Sequence, residues 1–156
     1  MEIVRIKNAQ YIQQFVQDSK LYERLSEDGA VPAQDWIPNL HLSIWLLAYE
    51  LDGNEIDPWG LFAFVPETRI VWRFHPAIPS DKWGNKKNIE AGKLALQWVW
   101  KHSEARKLVG KAPALYPDLL KWAQRIGMSR EGVQRKSYLK NGELHDQYYM
   151  GISRPE

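Results

Sequence analysis

The sequence predicts an α+β domain, a mixed sheet with helices on both faces. Two observations predict it. Stretches of alternating apolar residues, such as Arg69–His75, are interleaved with stretches of helical period, such as Ile89–His102, which implies strand–helix–strand crossovers. Turn sequences such as Asp52-Gly53-Asn54 and Asn141-Gly142 join consecutive apolar runs and imply hairpins. Crossovers make parallel neighbours and hairpins make antiparallel ones, so a chain that has both builds a mixed sheet.

The elements follow in order. Glu2–Lys7 alternates and reads as a strand. Asn8 is placed to cap a helix whose apolar residues Tyr11, Ile12, Phe15 and Val16 recur at helical spacing. Lys20–Leu25 gives a second short helix ending near Gly29, and Ala30–Asn39, with two prolines, is loop. His41–Leu51 is apolar enough for helix or buried strand. The turn at Asp52-Gly53-Asn54 into Trp59–Val65 makes it a strand. Arg69–His75 places Ile70, Trp72 and Phe74 on one face and Val71 on the other; Pro76–Lys87 is loop. Ile89–His102 is helix, apolar on more than one side and therefore expected to be deeply buried. Lys107–Lys111 is a short strand. Pro117 suits the first position of a helix with a narrow stripe of Leu119, Trp122, Ala123 and Ile126, and Gly127 suits its C′ position. A closing hairpin carries Asp146, Tyr148 and Tyr149 on its second strand. The total is about seven strands and about four helices in a single domain spanning residues 1–156, as its length favours.

Composition narrows the function. A net charge of +2 is too small to argue for nucleic acid or an anionic membrane as partner. There is no cysteine, which removes disulfides, thiolate metal sites and cysteine nucleophiles, and fits a reducing compartment. His41, His75, His102 and His145 lack metal-ligand spacing, so no metal is expected. The N-terminal MEIVRIKNAQ lacks the apolar core of a signal peptide, and no run approaches the roughly 20 apolar residues of a membrane span. The 8 tryptophans are an unusual number; they read as core, with some lining a cleft or a protein contact. Lys101, His102, Arg106 and Lys107 read as a solvated helix end, and Glu67 as a turn carboxylate within reach of helping an amine lose a proton through water.

Two segments carry a resemblance. Gly127–Gly151, GMSREGVQRKSYLKNGELHDQYYMG, is a helix-terminating glycine, a strand, a tight turn and a second strand. Trp83-Gly84-Asn85-Lys86-Lys87-Asn88-Ile89-Glu90-Ala91 is a loop opening a long helix. Together with the element order they resemble the GNAT acetyltransferases. That resemblance implies a GNAT-like mixed sheet, acetyl-CoA as co-substrate, and transfer of an acyl group to an amine acceptor. It implies that backbone N–H groups from Gly84 to Asn88, with Trp83 before them, hold the pyrophosphate, because unpaired N–H groups at a helix start attract an anion. It also implies that a backbone N–H near Phe74 or His75 polarises the thioester carbonyl. Lys86 stands where the family has its second glycine and Asn88 where it has a small residue; a side chain at Lys86 crowds the phosphate, while Lys86 and Lys87 add positive charge beside it. Alternatively this stretch is a solvated loop that Asn88 caps onto its helix.

The family's usual acid, a tyrosine one turn before the glycine, aligns with Ala123, and Met128 replaces the usual phenylalanine. Tyr116 stands where an asparagine is usual and becomes the candidate catalytic acid toward the leaving thiolate. A second implication is of another class. Short GNAT-like proteins of short-tailed phages are linked to virion morphogenesis, and this chain is similar to them in size and in its altered loop; such a protein acts by contact with a protein partner or as a homo-oligomer. The expected location is the bacterial or phage-infected cytoplasm, or the virion.

Overall fold

A computed structural model describes residues 1–156. Seven strands form one sheet: β1 (Glu2–Ile6), β2 (Ile44–Asp52), β3 (Glu55–Pro66), β4 (Val71–Ala77), β5 (Lys107–Pro113), β6 (Ser129–Lys140) and β7 (Glu143–Ser153). Their spatial order is β1-β2-β3-β4-β5-β7-β6, with β4 and β5 parallel and every other neighbouring pair antiparallel. The helices are α1 (Ala9–Val16), α2 (Ser19–Leu25), α3 (Lys87–His102) and α4 (Pro117–Arg125). Short 3-10 turns occupy Ala33–Asp35 and Ser80–Lys82. No helix is long and apolar enough to cross a membrane.

Local chemistry sets these elements. Asn8 and Asp18 cap α1 and α2, each accepting a backbone N–H three residues on. Pro117 opens α4. Gly127 closes it with both bonds of a Schellman motif, Met128 N–H to Ala123 O at 3.0 Å and Gly127 N–H to Gln124 O at 3.1 Å, and its φ of 110° needs a glycine. Asn141 and Gly142 both have positive φ, 53° and 77°, which a two-residue I′ turn between β6 and β7 requires.

Two packed layers cover the sheet. Strand alternation sends Leu46, Ala48, Phe62, Phe64, Phe74, Leu108 and Met150 to the face under α3 and α4, and Trp45, Leu47, Leu61, Ala63 and Ala77 to the face under α1 and α2. β4 runs Val71–Ala77 rather than Arg69–His75; the chain bends through Ile70, which is exposed, so only Trp72 and Phe74 of the expected stripe reach the core. α3 buries Ala91, Ala95, Leu96, Val99 and Trp100 but leaves Ile89, Leu94 and Trp98 half-buried, because the sheet covers one side of it. Trp98 stacks on His102 instead, ring centres 4.3 Å apart. α3 and α4 approach closely at Gly92, where an added Cβ would lie 2.7 Å from the Trp122 ring.

The tip of the β6–β7 hairpin is strapped to the end of α2. Lys140, only 8% exposed, donates to the carbonyls of Glu23 and Ser26, and Asp28 accepts the N–H groups of Asn141 and Gly142. Hydrogen bonds from a charged donor contribute about 1.5–3 kcal/mol. Lys140→Met keeps the stem and removes these bonds, so urea unfolding is expected to show a loss in that range. A loss below about 0.5 kcal/mol, the usual scatter of surface substitutions, would mean the strap contributes nothing.

Candidate functional site

The parallel pair β4 and β5 comes apart in the middle of the sheet. Their ladder covers only Val71–Arg73 and Lys107–Val109. Beyond it Phe74–Ala77 stay with β3, while Gly110–Pro113 stay with β7. The separation leaves backbone groups of β4 without a strand partner on the β5 side. Trp122 of α4 fills the wedge, with its ring 6.2 Å from Phe74 and 6.3 Å from Phe62, and its indole N–H donates to Asn88 O at 3.2 Å.

A cavity of about 210 Å³ lies beside the wedge. α2 contributes Leu21, Arg24 and Leu25 to its wall; the segment after β4 contributes Pro76, Ile78 and Trp83; α4 contributes Asp118, Leu119, Lys121, Trp122 and Arg125. Gly84, Asn85, Lys86, Asn88 and Ile89 close it at the start of α3. Apolar side chains interspersed with the cations Arg24, Lys86, Lys121 and Arg125 suit a ligand that has an apolar arm and an anionic head.

The loop before α3 is internally bonded. Lys87 N–H donates to the Asn85 side chain, Asn85 N–H to Lys82 O, and Asn88 N–H to Asn85 O. The N–H groups of Gly84 and Lys86 have no protein acceptor. Of the donors expected from Gly84 to Asn88, two are therefore free to face an anion. Asn88 does not cap α3: it is buried and its amide donates inward to Lys82 O at 3.1 Å. Lys86 takes the N-cap position with no side-chain bond of its own, and Asn85 just before it accepts the Lys87 N–H at 3.0 Å.

The structure brings Trp83, Gly84, Asn85, Lys86 and Asn88 to the cavity and Phe74 to the wedge. Lys87 turns outward to Glu50 at 3.0 Å and to the Trp59 ring. Lys82 pairs with Asp57 at 2.7 Å, and that hydrogen bond holds its ammonium above the usual lysine range. His75 alternates away from Phe74 onto the opposite face. The protein around it, and then the Arg73 guanidinium, push the imidazole below its usual range. Tyr116 stands just before α4, outside the cavity wall, with its ring against Arg24 and edge-on to Tyr138. Burial, and then the neighbouring Tyr116, push the Tyr138 phenol upward.

The α2 residues and the polar stripe Asp118, Lys121 and Arg125 escaped the sequence reading. The stripe had a signal, since its spacing places all three on one helix face. Arg24 had none, because nothing local tells a helical arginine that it will lie against residues more than 90 positions on.

Solved structures share this architecture. A spermidine N-acetyltransferase from Vibrio cholerae, in complex with CoA and spermine, superposes with a TM-score of 0.77 at 12% identity, covering 97% of this chain and 95% of that one. A ribosomal-protein-S5-alanine acetyltransferase from Vibrio fischeri gives 0.77 at 15% identity, covering 99% and 93%. This chain has the GNAT fold. A GNAT-family acetyltransferase from Bacillus anthracis gives 0.75 at 17% identity, covering 100% and 97%. Identities this low establish the GNAT fold and no more. No family model and no curated protein matches the sequence. No group of three or more His, Asp or Glu residues stands together to hold a metal ion in this GNAT-fold chain.

Proposed function

We propose that this GNAT-fold chain transfers an acyl group from acyl-CoA to an amine. One observation carries the reading: beside the separated β4 and β5 lies a cavity lined by Gly84 and Lys86, whose N–H groups have no protein acceptor, and by the cations Lys121 and Arg125. The pantetheine arm lies along Pro76, Ile78, Leu119 and Trp122, and the diphosphate meets Gly84 and Lys86. A neutral amine attacks the thioester carbonyl carbon. A free N–H of β4 near Phe74 or His75 stabilises the oxyanion. The C–S bond breaks, the amide forms, the thiolate takes a proton from Tyr116, and the amine's proton leaves to water. A structural neighbour binds spermine, which supports an amine as acceptor. Acyl-CoA is an intracellular co-substrate, so the reading places the protein in a cytoplasm.

Titration calorimetry with acetyl-CoA tests this directly. Lys86→Gly removes the side chain that crowds the diphosphate and is expected to keep or tighten binding. A tenfold loss, about 1.4 kcal/mol, would make the lysine ammonium itself the ligand. No heat from either form would favour the other reading, a GNAT fold kept for protein contacts in assembly, as in a phage virion. The exposure of Trp83, 38%, is the feature that favours that alternative.

A further inference from the structure

Arg24 is held in an unusual way. Its guanidinium carbon lies 4.7 Å from the Trp83 ring centre and 4.6 Å from that of Tyr116, and the same guanidinium pairs with Asp118. The side chain is only 21% exposed and it lines the donor cavity. Two aromatic faces and a carboxylate form the arrangement that recognises an organic cation. The three cage residues come from the loop before α3, the residue that precedes α4, and the first turn of α4, whereas the occupant comes from α2. The cage is therefore complete without α2.

We infer that Trp83, Tyr116 and Asp118 are a binding site for the alkylammonium group of the acyl acceptor, occupied in the free protein by Arg24. The identity of the ligand as acceptor rests on the acyl-transfer reading. An aliphatic amine reaches a protein at neutral pH as an ammonium, so an amine acceptor arrives with the charge the cage selects. Placement agrees with that role. Asp118 is the one carboxylate in the cavity wall, and Arg125 lies about 10 Å further along α4 at 1.5 Å per residue. Along α4 the cavity wall is thus acidic at the start, at Asp118, and basic towards the end, at Lys121 and Arg125. The donor's phosphates match the second, and the acceptor's cation matches the first. Arg24 then acts as an internal competitor: an acceptor that binds must displace it, and α2 yields at that point. The ammonium held in the cage is a second amine of the acceptor or the amine itself before it loses its proton.

The test follows the Trp83 indole N–H by NMR, assigned through Trp83→Phe, while n-butylammonium is added to wild type and to Arg24→Gln. The variant is expected to bind it at least tenfold more tightly than wild type. In that background Tyr116→Phe, which keeps the ring face, is expected to preserve binding; Tyr116→Leu and Asp118→Asn are expected to weaken it at least tenfold. If Arg24→Gln does not fold, the wild-type titration stands alone: n-butylammonium must shift the same peak, and Tyr116→Leu must abolish the shift. A variant that binds methylguanidinium but no n-butylammonium has a hole shaped for arginine only, and that result overturns the cage as an acceptor site. CoA is titrated separately. Binding of n-butylammonium without CoA overturns the acyl-transfer reading and leaves the cation site standing; binding of CoA without n-butylammonium overturns the site alone.

Discussion

Trp122→Ala is expected to lower the stability of the domain by about 3–5 kcal/mol, the range for removing a buried aromatic. The ring is 8% exposed and stacks on both Phe62 and Phe74, so its loss leaves a void between α4 and the centre of the sheet. The void cannot collapse easily, because Phe62 and Phe74 are fixed on neighbouring strands and Gly92 offers no side chain to fill it. The substitution also takes a donor from Asn88 O. Urea unfolding followed by circular dichroism measures the effect. Trp122→Phe separates its parts: it keeps a ring in the stack and gives up the N–H, so it is expected to cost about 1 kcal/mol more than the lost area alone. Acetyl-CoA affinity is expected to fall with Trp122→Ala, since the same ring walls the cavity proposed for the donor. A loss of stability under about 1 kcal/mol would mean that this stack is not what joins α4 to the sheet.

Tyr116→Phe is expected to lower kcat by about 10²–10⁴-fold, the usual value of a general acid, with little change in acyl-CoA affinity. The substitution keeps the ring that contacts Arg24 and Tyr138 and removes only the hydroxyl. Tyr116 lies outside the cavity wall while Arg24 covers its ring, so the hydroxyl reaches a thiolate only when Arg24 has moved. An unchanged kcat with full acetyl-CoA binding would remove Tyr116 from the chemistry and leave it the wall of a cation site.

Several parts of this protein were legible in the sequence for local reasons. Asn8, Pro117, Gly127 and the Asn141-Gly142 pair mark helix ends and a turn through backbone groups within a few residues, and each does so in the structure. The alternation of Trp72 and Phe74 marked β4 as a strand, and the apolar residues of α3 marked it as a core helix, because burial repeats with the period of the element. The element order, read against the GNAT resemblance, supplied the sheet.

What only the tertiary structure decided is where distant side chains meet. Asn88 reads as a cap, yet its side chain points inward because Lys82 O accepts its amide there, while its backbone carbonyl accepts the Trp122 indole N–H. His75 and Phe74 are adjacent in sequence and on opposite faces in space, so one reaches the wedge and the other does not. Arg24 meets Trp83, Tyr116 and Asp118 because α2 packs its Leu21 into the core and the β6–β7 hairpin straps its end, through bonds from Lys140 and to Asp28 that span more than 110 residues. The sequence by itself determined the elements and those ends that a cap or a turn marks, since hydrogen bonding and side-chain period act within a few residues. The cavity, its plug and the division into acidic and basic ends were decided by packing, where the partner of each charge is chosen by shape and not by spacing along the chain.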